Sequence, residues 1–168
     1  MIRSREARRR AHEVLKMVGV AVPPVDVTKV AEALGFDVLF FDFEESTSAV
    51  TFIEGDVRSI GVNQSHAPTR QRFSIAHELG HFLSGHESYD HDAIHVEDRP
   101  AWLDPQNRQE TEANEFAAEL LMSERFLRRD VAARGLDVPA LAKLYQVSEQ
   151  AMWIQLIDLR LASQYSKP

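Results

Sequence analysis

The run His77-Glu78-Leu79-Gly80-His81 sets two imidazoles four residues apart with a carboxylate beside the first. Phe73, Ala76, Leu79, Gly80 and Leu83 recur at helical spacing across residues 69–84, which predicts an amphipathic helix. On such a helix, positions i and i+4 share one patch of surface. Both histidines can therefore reach a single divalent cation at about 2.0–2.1 Å. Glu78 projects to the side of that patch, where it can take a proton from water that the cation polarises without being a ligand itself. This division of labour is that of metal-dependent hydrolysis. In a chain with seven histidines, such a match arises by chance about 3% of the time, so the surrounding residues carry the weight.

A catalytic zinc needs a third protein ligand and one open position. A histidine ligand in the extended pattern would require glycine at 84 and histidine at 87, where the chain has Ser84 and Glu87. Gly85 and His86 each miss by one residue. His86, His91 and His95 fall in a polar loop over residues 85–102 and read as solvated surface or the rim of a substrate cleft. A second helix is predicted from its cap at Asp104 and Pro105 at its first position to about Met122. Its apolar face is Ala113, Phe116, Ala117, Leu120 and Leu121. At 100° per residue, Glu110 falls in a row with Ala113, Ala117 and Leu121, whereas Glu112, Glu115 and Glu119 form a separate acidic row. A carboxylate on the buried side needs a partner, which makes Glu110 the expected third ligand. Asn114, one turn on, is placed to hydrogen-bond a ligating histidine. Glu112 is the second choice as ligand and otherwise a solvated charge. Two imidazoles and a carboxylate suit zinc, one ion per chain.

The elements that must hold these residues read as strands first and helices later, the order of an α+β domain. Ser4 can cap a helix over 5–17 with Ala11, Val14, Leu15 and Val18 on one face and solvated arginines on the other. Asp26 opens a short helix that ends on Gly35. Residues 36–43, 49–53 and 59–63 read as three strands of a small antiparallel or mixed sheet, with Gly55-Asp56 as a turn. Residues 137–145 and 148–162 read as two capped helices around a tight turn at Gln146-Val147, a helix-turn-helix shape. A single domain is expected: an N-terminal helix and turn over 1–25, a core over 26–124 and a helical subdomain over 125–168.

Composition narrows the function. The 168 residues carry 19 basic against 26 acidic side chains, a net −7, with 44% hydrophobic residues and no cysteine. A chain of this length buries a sizeable core, and disordered, disulfide-stapled and thiolate-metal classes are excluded. Five arginines fall in the first ten residues, and they read as a solvated helix face rather than a phosphate clamp. Residues 137–162 hold Lys143 and Arg160 against Asp137, Glu149 and Asp158, so direct DNA binding by the C-terminal helices is not expected. Met152, Trp153, Leu156, Ile157 and Leu159 are instead expected to pack on the core or bind a protein substrate. No run approaches the roughly 18 apolar residues of a membrane span. Arg8-Arg9-Arg10 is followed by Glu13 and Lys16 rather than an apolar signal segment. No membrane association is expected, and the cytoplasm is the expected compartment.

The run Arg-Phe-Ser-Ile-Ala-His-Glu-Leu-Gly-His over 72–81, followed by Glu-Thr-Glu-Ala-Asn-Glu-Phe-Ala-Ala-Glu-Leu-Leu-Met over 110–122, resembles the ImmA/IrrE-type zinc metallopeptidases. The likeness extends more weakly over residues 26–161. It implies a zincin-like fold of the gluzincin type, with zinc on His77, His81 and Glu110 and with Glu78 as the base. It also implies a partner: members of the family cleave helix-turn-helix repressors, often encoded beside them, and so release mobile-element, defence or stress-response genes. A zinc-bound anti-repressor that displaces its target without cutting is the alternative. The complete motif favours catalysis, because a structural zinc site needs no Glu78 and is closed by a fourth protein ligand. In zincin-type folds the substrate lies along an edge strand beside the motif helix, and residues 59–63 are the expected edge. Tyr89 and the loop histidines are candidates for an additional electrophilic donor. Ser123 departs from the proline usual after Leu-Leu-Met, and the sensory domain of longer relatives is not expected here.

Overall fold

In the computed structural model, which describes residues 5–86 and 105–163, the chain begins with helices α1 (Arg5–Met17) and α2 (Val27–Ala33). Strands β1 (Asp37–Phe41), β2 (Ala49–Glu54) and β3 (Val57–Asn63) follow, and then helices α3 (Pro68–Leu83), α4 (Pro105–Leu121), α5 (Glu124–Arg134), α6 (Val138–Tyr145) and α7 (Glu149–Asp158). This is the α+β architecture expected: a small three-stranded sheet, a motif helix and C-terminal helices.

The turn at Gly55-Asp56 pins β2 against β3 as an antiparallel hairpin, and β1 pairs with the other side of β3 in parallel. The sheet order is therefore β1-β3-β2. Residues 59–63 are thus central, not the edge expected for substrate. The reason lies in the backbone: with one side of β3 taken by the hairpin, its other side would bury unpaired N–H and C=O groups, and β1 satisfies them. Ile60 and Val62 are fully buried on the side that packs against α3. The opposite face carries Leu39, Phe41 and Phe52, all exposed. The edge strand nearest α3 is β2. At the end of β3, the buried Asn63 amide donates to the carbonyls of Phe43, Glu44 and Thr47 and so shapes the loop that leads into β2.

Helices α3 and α4 touch backbone to backbone. A Cβ at Gly80 would lie 3.0 Å from both Cα and O of Ala113, so the glycine inside the histidine motif is what allows this approach. Ala113, Phe116, Ala117, Leu120 and Leu121 are completely buried, the face expected from the periodicity. Helix α1 covers α4 with Ala7, Ala11, Val14 and Leu15. Arg9 pairs with Glu6 and Glu13 on its outer side, as expected of a solvated face. Arg8 does not: it forms ion pairs with Glu124 and Glu119 and ties α1 to the far end of α4.

Helix α5 was not legible from periodicity, because four arginines in eleven residues mask the pair Phe126 and Leu127 that it buries. Asp137 and Ser148 cap α6 and α7 by accepting from Ala140 N and Ala151 N, as their types predict. Gln146 takes the left-handed conformation between them, and α7 stops at Asp158 rather than 162. Met152 and Leu156 are fully buried, so this pair packs on the core. Arg72 of α3 donates to Val25 O and Gln146 O, fastening the motif helix to both flanks. Among the described residues, no helix is long and apolar enough to cross a membrane.

Candidate metal centre

Ile75, Ala76, Leu79 and Gly80 bury one side of α3 and leave His77 and His81 at the rim facing α4. Their Nε2 atoms are 3.0 Å apart. Glu110 places Oε2 at 3.2 Å from His77 Nε2 and Oε1 at 3.2 Å from His81 Nε2. A tetrahedral ion with bonds of about 2.0–2.1 Å spaces its ligand atoms about 3.3–3.4 Å apart, so the three groups could hold one metal with little movement. The side chains retain 16%, 19% and 37% of their exposure for His77, His81 and Glu110, which leaves room for a fourth position.

Both histidines have their second nitrogen engaged. His77 Nδ1 lies 2.9 Å from Asn114 Oδ1, the contact expected for Asn114. His81 Nδ1 lies 3.0 Å from His86 Nδ1. In the metal-free protein, burial opposes the His77 imidazolium, but the hydrogen bond and charge of Glu110, aided by Glu78 and Asn114, raise its pKa above the ordinary histidine value.

Glu78 is nearly buried at 8% exposure and turns towards the sheet, where Thr51 Oγ1 of β2 donates to its Oε2 at 2.6 Å. Thr51 was not foreseen. The signal available was strand alternation, which puts Thr51 on the same face as Ala49 and hence towards α3. A cleft of about 350 Å³ runs beside Glu78 and His77, with Ser48, Arg70, Phe73 and Ser74 among its walls.

Several residues stand differently from their sequence reading. His86 is neither solvated nor a rim residue. Gly85 at φ +67 ends α3 in the left-handed turn typical of helix C-termini, His86 N bonds back to His81 O, and the ring is driven under His81 with 7% of its side chain exposed. Glu112 is not a free solvated charge either: it accepts from Arg108 Nε at 3.2 Å and lies 3.3 Å from His86 Nε2. It is not among the groups that converge with His77 and His81, where the carboxylate is that of Glu110. Glu119, placed with Glu112 in one acidic row, is completely buried against His12. Tyr89, His91, His95 and Asp104 lie outside the described residues.

Residues 31–156 match Peptidase_M78, the IrrE N-terminal-like domain. Among solved structures, the fold is similar to that of a Mycobacterium tuberculosis transcriptional regulator at 17% identity, with a TM-score of 0.65 over 98% of this chain and 48% of that one. The chain spans about half the length of that protein. No curated protein matches it.

Proposed function

The chain belongs to the Peptidase_M78 family of metallopeptidases, and from that premise we propose that it is a zinc-dependent endopeptidase that cuts a regulatory protein, a helix-turn-helix transcriptional repressor. The observation that carries the reading is the convergence of His77 Nε2, His81 Nε2 and the Glu110 carboxylate within 3.2 Å of one another, with the outer nitrogens of both rings already engaged. These three residues would hold one zinc per chain. When bound, the ion supplies electrophilic polarisation of the attacking water and the scissile carbonyl. Glu78 is the general base: its carboxylate takes the proton of the attacking water and returns it to the leaving amine. The Thr51 hydroxyl donates to Glu78 Oε2 and so orients the carboxylate that works on the water. Asn114 accepts the Nδ1 proton of His77 and keeps the Nε2 lone pair directed inward. Strand β2 is the edge beside α3, and the substrate adds to it as an extended strand, which passes Thr51 and Glu78.

The test is incubation with the helix-turn-helix repressor encoded nearest the gene, followed by mass spectrometry of the fragments. A single cut that disappears with chelator and in Glu78→Gln is the expected result. Release of the repressor from DNA by intact protein, with no cut and zinc bound, would support the non-cleaving anti-repressor instead.

A further inference from the structure

We propose that His86, anchored by Glu112, is a positioning residue that fixes the tautomer and orientation of His81 for metal binding; this rests on the metal site read above. The contact between His81 Nδ1 and His86 Nδ1 is 3.0 Å. Two ring nitrogens at hydrogen-bond distance with no cation position between them must divide the roles, one carrying the proton and the other the lone pair. His81 presents Nε2 to His77 and Glu110, and only a lone pair there can bind a cation. Its proton therefore sits on Nδ1 and is donated to His86 Nδ1. His86 must then carry its own proton on Nε2, the atom that lies 3.3 Å from the Glu112 carboxylate. Every nitrogen in the relay Glu112, His86, His81 has a single role, and it ends with a lone pair at the metal position.

The opposite assignment would place a proton on His81 Nε2, pointing at Glu110 and blocking the cation. The anionic end of the relay opposes it, because Glu112 accepts hydrogen bonds and cannot donate one while ionised. His86 cannot be a ligand itself, since its Nδ1 faces the side of His81 turned away from Glu110. The two histidines of the motif are thus supported differently: His77 by the neutral amide of Asn114, His81 by a charged relay shielded from water, with the His86 side chain 7% and that of Glu112 23% exposed. Outer partners of this kind raise the basicity of a ligating imidazole and are worth about 10–100-fold in metal affinity.

The experiment measures zinc affinity of the full chain by chelator competition for wild type, His86→Phe, Glu112→Ala and the double variant, beside the unfolding midpoint of each metal-free protein. The expected result is a loss of about 10–100-fold in zinc affinity for each single variant, with the double variant no weaker than His86→Phe, since both act through one chain of contacts. The metal-free midpoints should change little, and the ¹⁵N shifts of His81 should move from a single Nδ1-protonated tautomer to a mixture. Should His86→Phe fold poorly, Glu112→Ala, altered at a more exposed position, carries the same readouts. Zinc affinities within twofold of wild type would overturn the proposal, as would a weakening matched by a fall in metal-free stability with the His81 tautomer unchanged. A wild-type chain that binds no zinc would overturn the metal reading and this inference together.

Discussion

Helix α4 carries three glutamates that face histidine, and two of them, Glu110 near its start and Glu119 near its end, are met in different ways. Glu119 is completely buried. His12 Nε2 lies 2.6 Å from its Oε1, Glu124 N donates to the same oxygen at 2.9 Å, Gln155 Nε2 reaches its other oxygen at 3.4 Å, and Arg8 flanks it. Those groups come from α1, the start of α5 and α7, so the carboxylate fastens three elements to α4. Glu110 is 37% exposed, and the Nε2 atoms of His77 and His81 each lie 3.2 Å from one of its oxygens. The difference is in what meets the acid: donors from three elements make Glu119 a structural joint, whereas the imidazoles of His77 and His81, with their outer nitrogens engaged, converge with Glu110 on a point that could hold a metal.

The largest effect expected lies at the open end. Glu78→Gln should lower the rate of repressor cleavage by about 10²–10⁴-fold, the usual contribution of a positioned general base, with zinc still bound; equal cleavage in the variant would remove Glu78 from that role. The next pair of variants should give opposite outcomes. Glu119→Ala leaves His12, Gln155 and Arg8 around an empty space and should cost about 3 kcal/mol, as breaking buried charged pairs does, measured by denaturant unfolding, while zinc affinity holds. Glu110→Ala should leave metal-free stability nearly unchanged and reduce zinc affinity by more than about 100-fold, and by more than Glu112→Ala does. Gly80→Val tests the contact that the two ends share. It forces α3 and α4 apart at Ala113, so it should cost about 1–3 kcal/mol and also weaken zinc binding, as Glu110 recedes from the histidines.

A smaller effect is expected at Asp130 of α5, which is sealed in the manner of Glu119. The hydrogen bond from Arg129 holds its carboxyl below the usual range against the cost of burial, and the buried Tyr145 hydroxyl donates to it at 2.7 Å. Its folded pKa lies below its unfolded one, so its stabilisation is fully present above the ordinary aspartate pKa of about 3.9 and is lost as pH falls through the folded value. Asp130→Asn should cost about 1–2 kcal/mol near neutral pH and flatten the stability profile on the acid side, which unfolding curves between about pH 2 and 6 would register.

What could be read in the sequence was local. The motif helix, the buried row of Ala113, Ala117 and Leu121, the Asn114 contact and the caps at Asp26, Asp137 and Ser148 all follow from spacing within one element, and the structure places each as expected; Glu110, read on that buried side, is 37% exposed and lies 3.2 Å from both motif histidines. What escaped depends on partners distant along the chain. Glu119 meets His12 and Gln155, and no pattern within α4 separates it from Glu112. The order of the strands is set by β1 docking on β3, which leaves β2, and not residues 59–63, at the edge beside α3. His86 lay within reach of a local argument, since Gly85 marks a helix end that folds the next residue back, but its contact with Glu112 crosses from α3 to α4.

The most direct test is zinc content after loading and removal of excess, measured by elemental analysis for wild type, Glu110→Ala and Glu119→Gln at equal protein concentration. One zinc per chain in wild type and Glu119→Gln, with none retained by Glu110→Ala, is the predicted result. Retention of a full equivalent by Glu110→Ala would contradict the assignment and return the third ligand to another carboxylate.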